Sequence, residues 1–123
     1  MSGGLELTLS HMIEKVPGFI GAVLFDDQGL TVASTPKLPI EDITLGAMTA
    51  KIFSDSSVVV NKIGTGSLTT INLETTDELI FFRTLQPKSG PNFVLTILAD
   101  KNVLLGLAFL EIKKSVEALL TIL

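Results

Sequence analysis

The segment from Ile40 to Ile63 is apolar almost all the way round when wound as a helix, and this constrains the chain more than any other feature. At about 100° per residue, Ile40, Ile43, Ala47, Ala50, Ser54 and Val58 line one side. Leu45, Met48, Ile52, Val59 and Ile63 line another, and Gly46, Phe53 and Val60 take part of the back. Only Thr44, Lys51, Asp55 and Lys62 form a polar wedge, with Lys51 and Asp55 spaced for an i,i+4 pair. A helix on the surface of a small domain keeps a polar face over about half its circumference. This one is therefore expected to bury one side on its own domain and another elsewhere. Its small residues Gly46, Ala47, Ala50, Ser54 and Ser57 let a second helix approach closely.

The rest of the 123-residue chain must supply the sheet that such a helix covers. This length suits one domain, residues 1–123, with residues 1–4 expected as a flexible start. Hydrophobic residues make up 46% and charged residues 18%, against about 25% charged in ordinary soluble domains. Mean hydropathy is +0.55. Disorder is thereby excluded. The absence of cysteine excludes a disulfide scaffold and any cysteine-ligated metal site. A net charge of -4, a single arginine (Arg83) and no Trp or Tyr make a poor nucleic-acid surface. A membrane-spanning helix needs roughly 20 apolar residues. The longest unbroken run, Val103 to Leu110, stops at Glu111, and Glu6, His11 and Glu14 interrupt the N-terminus where a signal peptide would be apolar. A cytoplasmic protein is expected, with its surplus apolar area used against other chains.

Leu5, Leu9, Met12, Ile13 and Val16 recur at helical spacing up to Pro17-Gly18. Phe19–Phe25 and Leu30–Thr35 read as strands joined at Asp26-Asp27-Gln28-Gly29, a turn in which Gly29 takes positive φ. After the helix over 40–63 and a turn at Gly64-Thr65-Gly66, Ser67–Thr75 alternates, with Thr69, Ile71 and Leu73 on one face. Its threonines suit a partly wet edge strand. Leu79–Leu85 and the continuous apolar run Phe93–Ala99 are two more strands. Asp100 or Asn102 is expected to cap a last helix whose stripe is Leu105, Phe109, Ile112, Val116, Leu119, Leu120 and Leu123. The order α-β-β-α-β-β-β-α gives an α+β sandwich, a mostly antiparallel sheet with helices on both faces.

Chemistry-bearing residues are sparse. The one histidine, His11, beside Ser10 and Glu14 is not a triad. Asp26-Asp27 lacks the further oxygen ligands of a calcium loop. Gly64-Thr65-Gly66-Ser67 lacks the lysine of a phosphate loop and precedes a strand. Arg83 sits mid-strand, a rigid place for a catalytic finger, and Lys113-Lys114 reads as a solvated helix face. No catalytic constellation, cofactor site or metal site emerges. An edge strand with unpaired backbone groups invites a second strand. Two copies pairing there would bring their second helices together in a twofold dimer. Ile43, Ala47, Ala50, Ser54, Thr69, Ile71 and Leu73 are its expected interface.

Pro17-Gly18-Phe19 followed by Asp27-Gln28-Gly29-Leu30-Thr31-Val32-Ala33-Ser34 resembles the opening of the roadblock/dynein light chain family. Gly66-Ser67-Leu68, Leu105-Gly106-Leu107 and Glu111-Ile112-Lys113-Lys114 resemble its closing strands and helix, so the resemblance runs from Leu5 to Leu120. Many members carry an arginine where this chain has Ala108-Phe109, which points to a drier interface here. The resemblance implies a roadblock/profilin-like fold: a five-stranded antiparallel sheet, two helices on one face and one on the other. It implies homodimers, or heterodimers with a paralogue, formed through the middle strand and second helix. It also implies non-catalytic scaffolds or regulators of small Ras-like GTPases, some stimulating GTP hydrolysis, or dynein light chains. By the same analogy the paired second helices are the GTPase platform, with Thr44, Met48, Lys51 and Asp55 facing the partner. A small-ligand sensory module is the alternative reading, and a hydrolase using Ser10, His11 or Asp26-Asp27 is a remote third.

Overall fold

A computed structural model describes residues 2–36 and 38–123. The elements are α1 (Ser2–Lys15), β1 (Phe19–Asp26), β2 (Thr31–Ser34), α2 (Asp42–Ile63), β3 (Thr70–Glu74), β4 (Glu78–Leu85), β5 (Phe93–Asp100) and α3 (Leu105–Ile122). The five strands form one antiparallel sheet in the order β2-β1-β5-β4-β3. The most continuously apolar strand, β5, takes the centre, where both its faces are covered. β3, flanked by Thr69, Thr75 and Thr76, takes an edge and pairs only with β4.

Alternation along the strands sorts the sheet into two faces. Ala22 and Leu24 of β1, Phe81 and Leu85 of β4, and Leu95, Ile97 and Ala99 of β5 share one face. They pack with Leu5, Leu9, Met12 and Val16 of α1 and with Ala108, Ile112, Val116 and Leu119 of α3. This is the main core. On the opposite face Val23, Phe25 and Phe82 are buried under α2. There Phe53 meets Phe82 edge-on at 6.2 Å, and Gly46 lies against the Gly29 turn and the Phe25 ring.

The β1–β2 turn forms as its residues dictate. The Asp26 Oδ1 accepts from the Gln28 and Leu30 N–H groups at 2.9 Å each, and Gly29 takes φ 85°. Beyond β2 the buried Thr35 closes a reciprocal link to β1. The Ala22 N–H donates to Thr35 Oγ1 at 2.9 Å, while the Thr35 N–H donates to the Ala22 carbonyl at 2.9 Å. Thr35→Val keeps the shape but orphans the Ala22 N–H. It should destabilise the protein by about 1–3 kcal/mol in urea unfolding.

Several local expectations are corrected. Of residues 1–4, expected as a flexible start, the described Ser2–Gly4 form the first turn of α1. The strand expected over 67–75 is regular over Thr70–Glu74, and its pairing with β4 continues at both ends, where the Thr84 N–H donates to the Thr69 carbonyl and the Thr75 N–H to the Glu78 carbonyl at 2.9 Å each. The helix expected over 40–63 starts at Asp42, with Ile40 outside it, and ends as expected before Gly64, whose left-handed φ of 78° lets its N–H bond the Val60 carbonyl. Neither Asp100 nor Asn102 caps α3; Leu104 holds the cap position with no side-chain bond. The Asp100 Oδ1 instead accepts the Asn102 N–H at 2.8 Å and closes its own turn. The α3 stripe also rotates in its first turns. The small Ala108 faces the core, while Leu105 and Phe109 are about half exposed, with Phe109 edge-on to Phe81 at 5.7 Å.

Candidate interaction surface

The two features that sequence reasoning brought together, the second helix and the edge strand, lie on one side of the sheet. Ile71 is registered with Phe82 and Leu73 with Ile80, so both share the face that α2 covers. α2 is seated through a narrow line of contacts: only Gly46 and Thr49 are buried along its 22 residues. The reason is geometric. Gly46 and Gly29 let two backbones touch, and Phe53 rests on Phe82, but most other side chains project past this seat.

The result is a long apolar surface open to water. Ile43 is 82% exposed, Ile63 68%, Val59 57%, and Met48 and Val58 52% each. Among the expected interface residues, Ile43, Ala47 and Ser54 are exposed and Ala50 is half-buried on α2. On β3, Thr69 just ahead of the strand and Leu73 within it are exposed, while Ile71 is half-buried. Of the expected partner-facing residues, Thr44, Met48, Lys51 and Asp55 are all exposed. Lys51 and Asp55 pair at 3.3 Å, a wet contact that contributes little to stability. Val58, Val59 and Ile63 were absent from the expected site, although Val59 and Ile63 share a flank with Met48. That shared flank is the signal that could have included them.

α2 is also long and apolar enough to cross a membrane by length and composition. Its Lys51–Asp55 pair would then lie at the bilayer centre, and lifting it would expose Phe25 and Phe82.

The remaining candidates disperse. His11 is exposed on α1, in a shallow groove with Lys15, Glu111, Lys114 and Ser115. Glu111 is buried there and pairs with Lys114 at 3.7 Å. Asp26 is committed to its turn, and Arg83 lies on the opposite face of the sheet from α2, in register with Thr70 and Leu95. Among the described residues no group of three His, Cys, Asp or Glu side chains is placed to hold a metal ion.

A five-stranded antiparallel sheet with two helices on one face and a third on the other defines a roadblock/profilin-type sandwich. The Roadblock/LC7 domain family matches residues 5–99, and the chain belongs to that family. The match ends with β5, and structural similarity extends over α3. The crystal structure of a Roadblock/LC7 domain from Streptomyces avermitilis is similar with a TM-score of 0.80 at 20% identity, over 92% of each chain. Myxococcus xanthus MglB superimposes with a TM-score of 0.82 at 21% identity, over 98% of this chain and 87% of that one. The gliding protein MglB from Thermus thermophilus gives 0.83 at 18% identity, over 98% and 89%. These likenesses speak for the fold. No curated protein matches the chain in sequence.

Proposed function

We propose that this protein is a non-catalytic, dimeric adaptor or regulator that binds a small Ras-like GTPase through its paired α2 helices. The observation that carries this reading is the exposed apolar length of α2 on the sheet face that Ile71 and Leu73 of the open edge strand β3 share. Isolated exposed apolar residues need no explanation, whereas a continuous apolar patch marks an interaction site. Pairing β3 with a second copy would satisfy its free backbone groups and extend the sheet across the dyad. It would also bring the two α2 helices side by side, each covering the other's Ile43–Ser54 flank. The outward residues Thr44, Met48, Lys51 and Asp55 of both copies would then form one platform for the GTPase. Family membership supports the same reading, since the roadblock pattern implies scaffolds and regulators of this kind. The setting we propose is cytoplasmic, with the chain acting as a single domain.

Ala47→Glu tests the interface. It places an unpaired charge between the helices, so the dimer dissociation constant in sedimentation analysis should rise at least about 100-fold. A single subunit persisting at high concentration in the unaltered protein would overturn the dimer. The GTPase arm is read by nucleotide turnover of a bound Ras-like partner. Faster hydrolysis marks a regulator, and unchanged hydrolysis with proven binding marks a scaffold of the light-chain type.

A further inference from the structure

On the face of the sheet opposite α2, an open groove of about 490 Å³ lies between β3, β4 and α3. Its walls are Phe81, Phe109 and Ile112, with Thr70 and Asn72 along β3, and with Arg83 and Lys113 as its charged groups. We propose that this groove binds a small organic acid, a carboxylate on a flat apolar body, with Arg83 and Lys113 holding the carboxylate.

Three observations carry the assignment. The first is an unsatisfied donor: the Arg83 Nε is shielded from water and has no hydrogen-bond partner among the described residues. The shielded Nε is closed to a ligand as it is to water, so the Nη groups of the same unpaired guanidinium are the donors a carboxylate would meet. The second is charge. No acidic side chain lines this groove, and among the described residues neither Arg83 nor Lys113 forms an ion pair. The contrast is the groove between α1 and α3, where Lys15 and Lys114 are offset by Glu111. The third is shape. The half-exposed Phe109 ring stands edge-on to Phe81, interplanar angle 77°, and with Ile112 forms an apolar wall beside the two cations. A majority-apolar cavity of this size with a few polar groups has the character of a small-molecule site. Thr70 Oγ1 donates to the Phe82 carbonyl at 3.0 Å and can still accept a bond from the ligand. Every lining residue comes from one chain, and because Thr70 and Asn72 lie on β3, the partner's β3 would border the groove in the proposed dimer.

The probes are 4-phenylbutyrate, its neutral counterpart 4-phenylbutanamide, and acetate, titrated into the ¹⁵N-labelled full chain. Arg83 is the only arginine, so its Nε–H gives a single NMR signal. Phenylbutyrate should shift that signal saturably, together with the Phe109 and Lys113 amides. The amide should bind about tenfold more weakly or worse, having lost its charge-assisted bonds. Acetate should also bind more weakly, having no body for the Phe109 wall. Lys113→Gln, an exposed substitution that leaves the core untouched, should weaken phenylbutyrate severalfold. Arg83→Gln should remove the phenylbutyrate-induced amide shifts. Equal binding of phenylbutyrate and its amide, an Arg83 signal that does not move, or unchanged affinity in Lys113→Gln would each overturn the site. Acetate binding as tightly as phenylbutyrate would reduce it to an adventitious anion contact and overturn it as well.

Discussion

Gly46→Ala is expected to destabilise the protein by about 2–4 kcal/mol, although alanine is the better helix former. Intrinsic propensity alone favours alanine over glycine within a helix by about 1 kcal/mol. Packing opposes it and should win. A Cβ on Gly46 would collide with the Gly29 carbonyl oxygen and lie 3.0 Å from the Phe25 ring. The obstructing atom belongs to backbone held in a tight turn, where Gly29 sits at φ 85° and Asp26 pins the neighbouring N–H groups. No side chain can swing aside, so α2 must lift from the sheet and uncover Phe25. Urea unfolding measures this as a lower midpoint. A higher midpoint would mean that α2 is not seated on the hairpin turn. The facing position is equally closed, since a Cβ on Gly29 would meet the Gly46 carbonyl at 2.5 Å.

Leu24→Ala should destabilise by about 3–5 kcal/mol, whereas Ile43→Ala should change the stability of the subunit by less than about 0.5 kcal/mol. Both remove comparable apolar volume, so burial alone decides. Leu24 is 0% exposed, is registered with Leu95, and is enclosed by the α1–α3 core. Truncating it leaves a cavity between a rigid sheet and two helices, which cannot collapse fully. Ile43 is 82% exposed and has little to lose in one subunit. In the proposed dimer its truncation should weaken association instead. Unfolding must therefore be followed at several protein concentrations, since coupling to dimerisation makes the midpoint concentration-dependent. A large concentration-independent loss for Ile43→Ala would contradict the position of that side chain.

Much of the architecture was written locally. The helical spacing of Leu5, Leu9, Met12 and Val16, the Asp26–Gly29 turn and the apolar run of β5 each involve residues within a few positions of one another. Their conformations follow from sterics and short-range hydrogen bonding that a linear reading can evaluate. The excess of apolar residues on α2 was legible for the same reason, as a departure from the polar face a surface helix keeps. The threonines of segment 67–75 marked β3 as an edge because a wet strand tolerates them.

Other features waited on the tertiary structure. The rotation of α3, which buries Ala108 and leaves Phe109 on the rim, depends on which side chains α1 and the sheet present, not on the strength of its own stripe. The strand order, with β5 between β1 and β4, settled which helix faces share a core. The Gly29–Gly46 contact joins two turns of chain that carry no local sign of each other. The Arg83 groove draws its walls from β3, β4 and α3, and in the sequence its two cations are a mid-strand arginine and one of a pair of ordinary surface lysines. Periodicity told how each segment would fold and which side it would hide. Only the packed sheet decided what stood opposite, because side chains distant along the chain meet at a given atom only once register and crossing are set.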